Sequence, residues 1–79
     1  MTVRVGDQVI ELAGECPSED AETLLMHLLA DPLARVDWSA CERAHTAVLQ
    51  VLLAAQRPMD GSPQGAFLSQ WVEPLVRRE

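Results

Sequence analysis

The 79-residue sequence contains no lysine. All six of its basic residues are arginines, and they stand against 12 acidic residues, which gives a formal net charge of −6. Because phosphate contacts need clustered cations, this balance excludes a nucleic-acid-binding surface. Long apolar runs are lacking too: the longest, residues 47–55, is interrupted by Gln50 and is far short of the ~20 residues of a membrane-spanning helix. We therefore expect neither nucleic acid nor a membrane as a partner.

Cysteine and glycine are scarce, which argues against metal and phosphate chemistry. Cys16, His27, Cys41 and His45 are the candidate soft-metal ligands, but only Cys41 and His45 are closely spaced, whereas structural zinc sites use two close pairs. The four glycines form no phosphate-binding loop. No nucleophile is accompanied by an orienting group and an oxyanion hole. We predict no metal, no cofactor and no enzymatic activity.

An apolar secretory block is also missing near the beginning of the sequence. This predicts a cytoplasmic protein whose thiols stay reduced. Hydrophobic residues make up 48% of the sequence and charged residues 23%, which is a globular composition rather than a disordered one. The length permits one small domain, which we assign to residues 1–79.

Alternation of apolar and polar residues predicts two short strands at the start of the chain, joined at Gly6-Asp7 as a β-hairpin. Gly14 and Pro17 are expected to end the second strand, since glycine frees the backbone and proline cannot donate a ladder hydrogen bond. Ser18 is expected to cap the first of two amphipathic helices, which flank a third strand. The predicted elements are strands at 2–5, 9–13 and 35–39 and helices at 18–30 and 46–56.

A right-handed βαβ crossover from the second strand to the third predicts a small mixed β-sheet with helices packed on it, an α/β fold. Residues 57–63 are predicted to be a loop, and residues 64–79 a C-terminal helix that Pro74 kinks or ends. An apolar stripe on this helix is expected either to cover the free outer edge of the third strand or to join two copies as a homodimer. The stripe consists of Leu68, Trp71, Val72 and Leu75.

The segment from Val36 to Ala55 resembles the central part of STAS domains, the family of anti-sigma-factor antagonists and of the cytoplasmic modules of sulphate transporters. In that family a strand ending in Asp-Leu-Ser leads to Asp-Ser-Ser/Ala-Gly-Leu at the start of an apolar helix. Residues 37–39 of this sequence, Asp-Trp-Ser, match the strand, and residues 45–49 stand at the second motif. His45, Thr46 and Val48 replace the aspartate, the serine and the glycine. With the upstream strands and helix, the resemblance covers residues 2–56.

The resemblance implies a non-enzymatic regulatory module that binds another protein, either a kinase-like protein or an anti-sigma factor. In the antagonists a partner kinase phosphorylates the motif serine, which switches binding off. Thr46 is therefore the phosphoacceptor candidate, and Thr46→Glu is expected to weaken a partner complex. The alternative is that Thr46 or His45 only caps the helix. The expected partner-binding residues are Cys41, Glu42, Arg43, His45 and Thr46.

Two other functions stay open at this point. Some members of the resembled family bind nucleotides or lipids, so a pocket beside Thr46 would favour a small-ligand module. Burial of the region around Thr46 in a dimer contact would favour an oligomerising structural subunit without a phospho-switch. Of the larger aromatic residues, Trp38 is expected in the core, and Trp71 either in the core or at an interface.

Overall fold

The computed structural model describes residues 3–76 and the side chains of residues 3–75, so predicted strand residue 2 and predicted helix residues 77–79 lie outside it. A four-stranded mixed sheet has the strand order β1-β2-β3-β4. The elements, in chain order, are β1 (Val3–Val5), β2 (Val9–Cys16), α1 (Glu19–Ala30), β3 (Arg35–Ala44), α2 (Thr46–Ala55), β4 (Met59–Asp60), a π-helix (Leu68–Val72) and α3 (Glu73–Val76).

The predicted fold class is confirmed. Strands β1 and β2 form the antiparallel hairpin, with Val3 opposite Leu12, and β2 pairs in parallel with β3 through the α1 crossover. The helices pack on one face of the sheet, because side chains of only one face of each strand are buried. On the two central strands these buried residues are Ile10, Leu12, Cys16, Val36, Trp38 and Cys41.

Strand β2 does not end at Gly14 as predicted but continues to Cys16 and stops before Pro17. Gly14 adopts a left-handed conformation, with φ of +67°, inside the strand. The register with β3 shifts on both sides of it, between Glu11 and Ala13 and between Gly14 and Glu15. Gly14 does not end the pairing, since it stands opposite Cys41, and at both shifts the extra residue of the bulge lies on β3.

Strand β3 is twice as long as the predicted 35–39, because the extension of β2 gives residues 40–44 a pairing partner. The prediction that the outer edge of β3 is free is also wrong. Within the predicted loop, β4 pairs in parallel with Val36 and Asp37. The Arg35 Nε donates to both carboxylate oxygens of Asp60, at 3.1 and 3.0 Å, which fastens β4 to the start of β3.

Beyond β4 the chain continues along the same edge of β3. The Trp38 Nε1 donates to the Gly61 carbonyl at 3.1 Å, and the Gln64 amide donates to the Cys41 carbonyl at 2.9 Å. Gly65 packs so closely on β3 that a Cβ there would lie 2.0 Å from the Glu42 carbonyl oxygen, so no other residue fits. This segment satisfies backbone groups that a bare edge would leave unpaired.

Both predicted amphipathic helices are present, with small differences at their ends. Leu24 and Leu28 bury the inner face of α1, and Val48 and Leu52 that of α2. Ser18 precedes α1, but its side chain makes no capping hydrogen bond within the described residues, contrary to the prediction.

Arg57 fastens the end of α1 to the loop after α2. Its guanidinium donates to the carbonyl oxygens of Leu28 at 2.7 Å, Asp31 at 2.9 Å and Ala34 at 3.2 Å. The carbonyls of a last helical turn have no intrahelical partner, so this side chain supplies part of what the backbone of α1 cannot.

The C-terminal segment is helical, but its apolar stripe is divided between the interior and the surface. Leu68 and Val72 are buried in the core, whereas Trp71 is 66% and Leu75 51% exposed. The Glu73 amide donates to the Leu68 carbonyl, five residues back, which defines the π-helix. This wider turn changes which residues share a face, and the helix continues through Pro74.

Candidate functional site

The start of α2 lies where the chain leaves the sheet at the end of β3. His45 has extended backbone angles, and its amide donates to the Cys16 carbonyl at 2.8 Å, which ties this point to the end of β2. The His45 Nδ1 accepts a hydrogen bond from the Ala47 amide at 3.1 Å. His45 is therefore the N-cap of α2, and the tautomer in this arrangement carries its proton on Nε2.

Thr46 is the first residue of α2, and it is exposed. Its hydroxyl forms no hydrogen bond with any residue of the described chain. Because the His45 side chain caps the helix, the Thr46 hydroxyl is not needed as a hydrogen-bond acceptor for the amides of the first turn. The cap and the candidate phosphoacceptor are thus two different residues.

The other predicted partner-binding residues divide between surface and interior. Glu42 and Arg43 are exposed on the last part of β3, next to His45. Cys41 is completely buried, so its side chain does not reach a partner at the surface. The irregular pairing of β3 with β2 places Cys41 on the inner face together with Val36 and Trp38, and alternation in the sequence alone does not reveal that shift.

A groove that sequence reasoning missed runs between α1 and α2, and Ala47, the residue after Thr46, is among the residues that line it. Its volume is about 570 Å³. The walls are almost entirely apolar, and two of the lining side chains, Leu25 and Leu29, are 42% and 72% exposed. The lining residues are Ala21, Glu22, Leu25, Leu28 and Leu29 from α1, Ala47, Gln50, Val51, Ala54 and Ala55 from α2, and Arg57.

One sequence signal did point to this groove. Helical spacing in the sequence gives α1 an apolar face that includes both the pair Leu24 and Leu28 and the pair Leu25 and Leu29. A single sheet surface buries only the first pair, because the second lies about 100° further around the helix. An apolar face wider than one contact can cover is therefore the feature that indicates a second, unfilled contact.

The charges around the groove are unevenly distributed. Glu19, Asp20 and Glu22 occupy the first turn of α1, and Glu22 lines the groove at this end. Arg57, the one basic residue that lines it among residues 3–75, donates to three backbone carbonyls. An anionic group in the groove would therefore meet acidic side chains and an arginine that is already hydrogen-bonded.

The two cysteines lie directly behind the start of α2, on β2 and β3. Both are free and buried. The interaction with the Cys16 thiol raises the pKa of Cys41, and burial raises it further. The same interaction is the main cause that lowers the pKa of Cys16. His27 and His45 do not join this pair: within residues 3–76 no three His, Cys, Asp or Glu side chains come together as metal ligands.

No helix among the described residues is both long and apolar enough to cross a membrane. In comparisons with known proteins, no family model, no curated protein and no solved structure matches the chain. Its function is therefore inferred from the residues and their geometry.

Proposed function

We propose that this chain is a non-enzymatic regulatory module that binds a protein partner across the start of α2 and the groove between α1 and α2. The observation that carries the proposal is the exposed, unbonded hydroxyl of Thr46, the residue that precedes Ala47 of the apolar groove. The proposal keeps the resemblance of residues 2–56 to STAS domains, so a kinase-like protein or an anti-sigma factor is the proposed partner.

The groove supports a protein partner because it leaves large apolar side chains in water. Leu29 is 72% exposed and Leu25 is 42% exposed, and they face the small side chains of Ala47 and Ala54 across the groove. Exposed apolar patches of this kind on small domains are typical of interaction surfaces. A groove with small residues on one wall and leucines on the other can accept a large apolar side chain of a partner protein.

The position of Thr46 at the start of α2 supports a regulatory role in such a complex. A phosphate on its hydroxyl lies at the positive end of α2, where the helix dipole stabilises negative charge. The first turn of α2 contains no acidic residue that would repel it. The same phosphate beside an apolar contact must lose its hydration when the partner covers the groove, so phosphorylation weakens the complex. Glu42, Arg43 and His45 complete the proposed surface.

The proposal includes a cytoplasmic location, where the thiols of Cys16 and Cys41 are kept reduced. It also includes a homodimer through the exposed side of the C-terminal helix. Phe67 is 65% and Trp71 66% exposed there, whereas Leu68 and Val72 are buried in the core and take no part. Sedimentation at high micromolar concentration tests the dimer, and particles of only 8.7 kDa would exclude it.

The volume of the groove supports a second candidate, a small-ligand module. Ligand pockets usually span roughly 300–1,000 Å³, and this groove has about 570 Å³. The acidic Glu22 and the hydrogen-bonded Arg57 disfavour a nucleotide and favour an uncharged apolar ligand over a charged lipid. Titration with an apolar fluorescent probe tests this candidate: displacement of the probe by a captured partner assigns the groove to the protein, and its persistence favours the ligand.

The experiment that tests the proposed function begins with affinity capture from the source cells and then measures affinity with the purified partner. Thr46→Glu is expected to weaken the complex by at least about tenfold, or ~1.4 kcal/mol. Thr46→Val keeps the shape of the side chain and should bind as the wild type does. Gln8→Glu adds the same charge in the exposed turn between β1 and β2, away from both proposed surfaces, and serves as the matched control. Equal affinity of all variants, with no phosphate on Thr46 in protein from the host, would refute the proposal.

A further inference from the structure

The two cysteines are neighbours across the central pair of parallel strands. Cys41 on β3 stands opposite Gly14 on β2, and Cys16 lies two residues further along β2, opposite Ala44. Both side chains point to the helix-covered face and belong to the same buried core cluster, with exposures of 2% for Cys16 and 0% for Cys41. The diagonal between their Cα atoms is about 8 Å by ideal strand spacing, slightly longer than the ~7 Å limit for a disulfide, so the bond requires a small movement of the backbone.

The backbone around this pair is the least regular part of the sheet. The register between β2 and β3 shifts on both sides of Gly14, which itself has a left-handed conformation. Fewer regular ladder bonds restrain the strands here than in an ideal sheet. The remaining contacts of the sulfurs are weak, at 3.9 Å from Cys16 Sγ to the Ala13 carbonyl and 3.6 Å from Cys41 Sγ to the Arg43 carbonyl. Little in the structure opposes the small movement that a covalent bond requires.

We propose that Cys16 and Cys41 are a modification site that forms a reversible intramolecular disulfide by exchange with a small disulfide such as oxidised glutathione. Disulfides in cytoplasmic proteins of mesophiles are typically transient and redox-sensing, which fits a pair that is free in the reduced chain. The bond would link β2 directly to β3 and enclose α1 in a covalent loop.

The exchange proceeds in two steps. The Cys16 thiolate attacks one sulfur of the small disulfide and expels one glutathione thiolate. Cys41 then loses its proton and attacks the Cys16 sulfur of the mixed disulfide, which expels the second glutathione. Two protein thiols are oxidised to one disulfide, one glutathione disulfide is reduced to two thiols, and the two protons pass from the cysteines to the glutathiones. Because both sulfurs are buried, the first step follows a local opening and is slow.

Formation of the disulfide affects the start of α2. The Cys16 carbonyl accepts from the His45 amide at 2.8 Å, and only residues 42–44 separate Cys41 from His45. Drawing the sulfurs together therefore moves both attachments of the helix cap. The consequence that oxidation changes partner binding at Thr46 rests on the proposed function, whereas the disulfide itself does not.

The test equilibrates the full chain with mixtures of oxidised and reduced glutathione, traps the remaining thiols with an alkylating agent and measures the intact mass. The native chain is expected to lose about 2 Da, bear no alkyl group and carry no glutathione. Its equilibrium constant for disulfide formation should exceed that of the same chain in urea by at least about tenfold, because folding holds the thiols together. This comparison needs no variant. A native constant equal to or below the denatured one, or a product held by mixed or intermolecular disulfides, would overturn the proposal.

Cys16→Ser and Cys41→Ser are the matched variants. Each is expected to keep its remaining thiol or to bind a single glutathione, and neither should lose mass. The resonances of the His45 imidazole should shift on oxidation of the wild type and stay unchanged in both variants, a readout independent of any partner. If the disulfide forms but these resonances and the partner affinity are unchanged, the coupling to α2 is wrong although the modification site stands. If oxidation shifts the His45 resonances while Thr46→Glu leaves the affinity unchanged, only the proposed function is wrong.

Discussion

Helices α1 and α2 lie side by side and run in the same direction, yet their ends are stabilised in opposite ways. Helix α1 starts with three acids, Glu19, Asp20 and Glu22, and no side-chain cap from Ser18 within the described residues. Helix α2 starts with a side-chain cap from His45 and has no acid in its first turn. The positive end of α1 is therefore already compensated by charge, whereas that of α2 is compensated by one neutral hydrogen bond.

The C-terminal ends differ as well. The end of α1 receives a charged side chain from elsewhere in the sequence, Arg57, while α2 ends with Gln56 in a left-handed conformation, with φ of +53°. Charged side chains thus stabilise both ends of α1, whereas a neutral side-chain cap and a left-handed residue stabilise the two ends of α2. A negative group added at the start of α2 meets less opposition than one added to α1, which is the physical basis for placing the regulatory site at Thr46.

The largest effect is expected from breaking the charged end of α1. Arg57→Ala removes three hydrogen bonds to the carbonyls of Leu28, Asp31 and Ala34. Hydrogen bonds from charged groups contribute about 1.5–3 kcal/mol each in favourable cases, and these are partly solvated, so we expect a loss of roughly 2–3 kcal/mol in the free energy of unfolding. Urea denaturation measures it.

Arg4→Ala is the control for this change, since Arg4 is exposed on β1 and its side chain makes no hydrogen bond with the described residues. It should change the stability by less than about 0.5 kcal/mol. Arg57→Lys keeps the charge but reaches fewer carbonyls and should lie between the two. If Arg57→Ala were no more destabilising than Arg4→Ala, the end of α1 would not depend on this side chain.

The next effect separates the two N-terminal ends. His45→Ala removes the acceptor for the Ala47 amide and should cost about 1 kcal/mol, the usual value for an N-cap. Ser18→Ala is the matched variant at the start of α1, and it should cost close to nothing because no capping bond is lost. His45→Asn, which offers another acceptor, should restore most of the stability. Equal losses in the two alanine variants, measured by thermal and urea unfolding, would contradict the assignment of the caps.

The same contrast shows which parts of the fold the sequence predicts. The hairpin, both helices and the crossover depend on alternation or helical spacing within a few residues, and they were predicted correctly. Strand β4 has only two residues and follows Pro58, so it exists because β3 offers it an edge and not because of its own pattern. The extension of β3 likewise depends on another strand, because residues 13–16 of β2 give it pairing partners, and β3 itself contains the extra residues of the two bulges.

The candidate site also contains some features that local sequence patterns predict and others that depend on residues far apart in the chain. The position of Thr46 at the first turn of an apolar helix follows from local spacing. The burial of Cys41 depends on irregular pairing between distant strands, and its contact with Cys16 depends on the same pairing. The groove depends on the separation of two packed helices, which no local pattern specifies. Features that join residues far apart in the chain were the ones that only the structure reveals.

The smallest effect tests the charge contrast directly. Thr46→Glu places a carboxylate at the uncompensated start of α2 and should stabilise the fold by about 0.3–1 kcal/mol at low salt. Ser18→Glu places the same group at the start of α1, beside Glu19, Asp20 and Glu22, where repulsion offsets the gain from the dipole. Urea unfolding at low and at high salt should show the gain for Thr46→Glu alone, and screening should remove most of it. A gain for Ser18→Glu as large as that for Thr46→Glu would mean that the two helix starts are electrostatically equivalent, and the reason for placing a phosphate on α2 rather than on α1 would be lost.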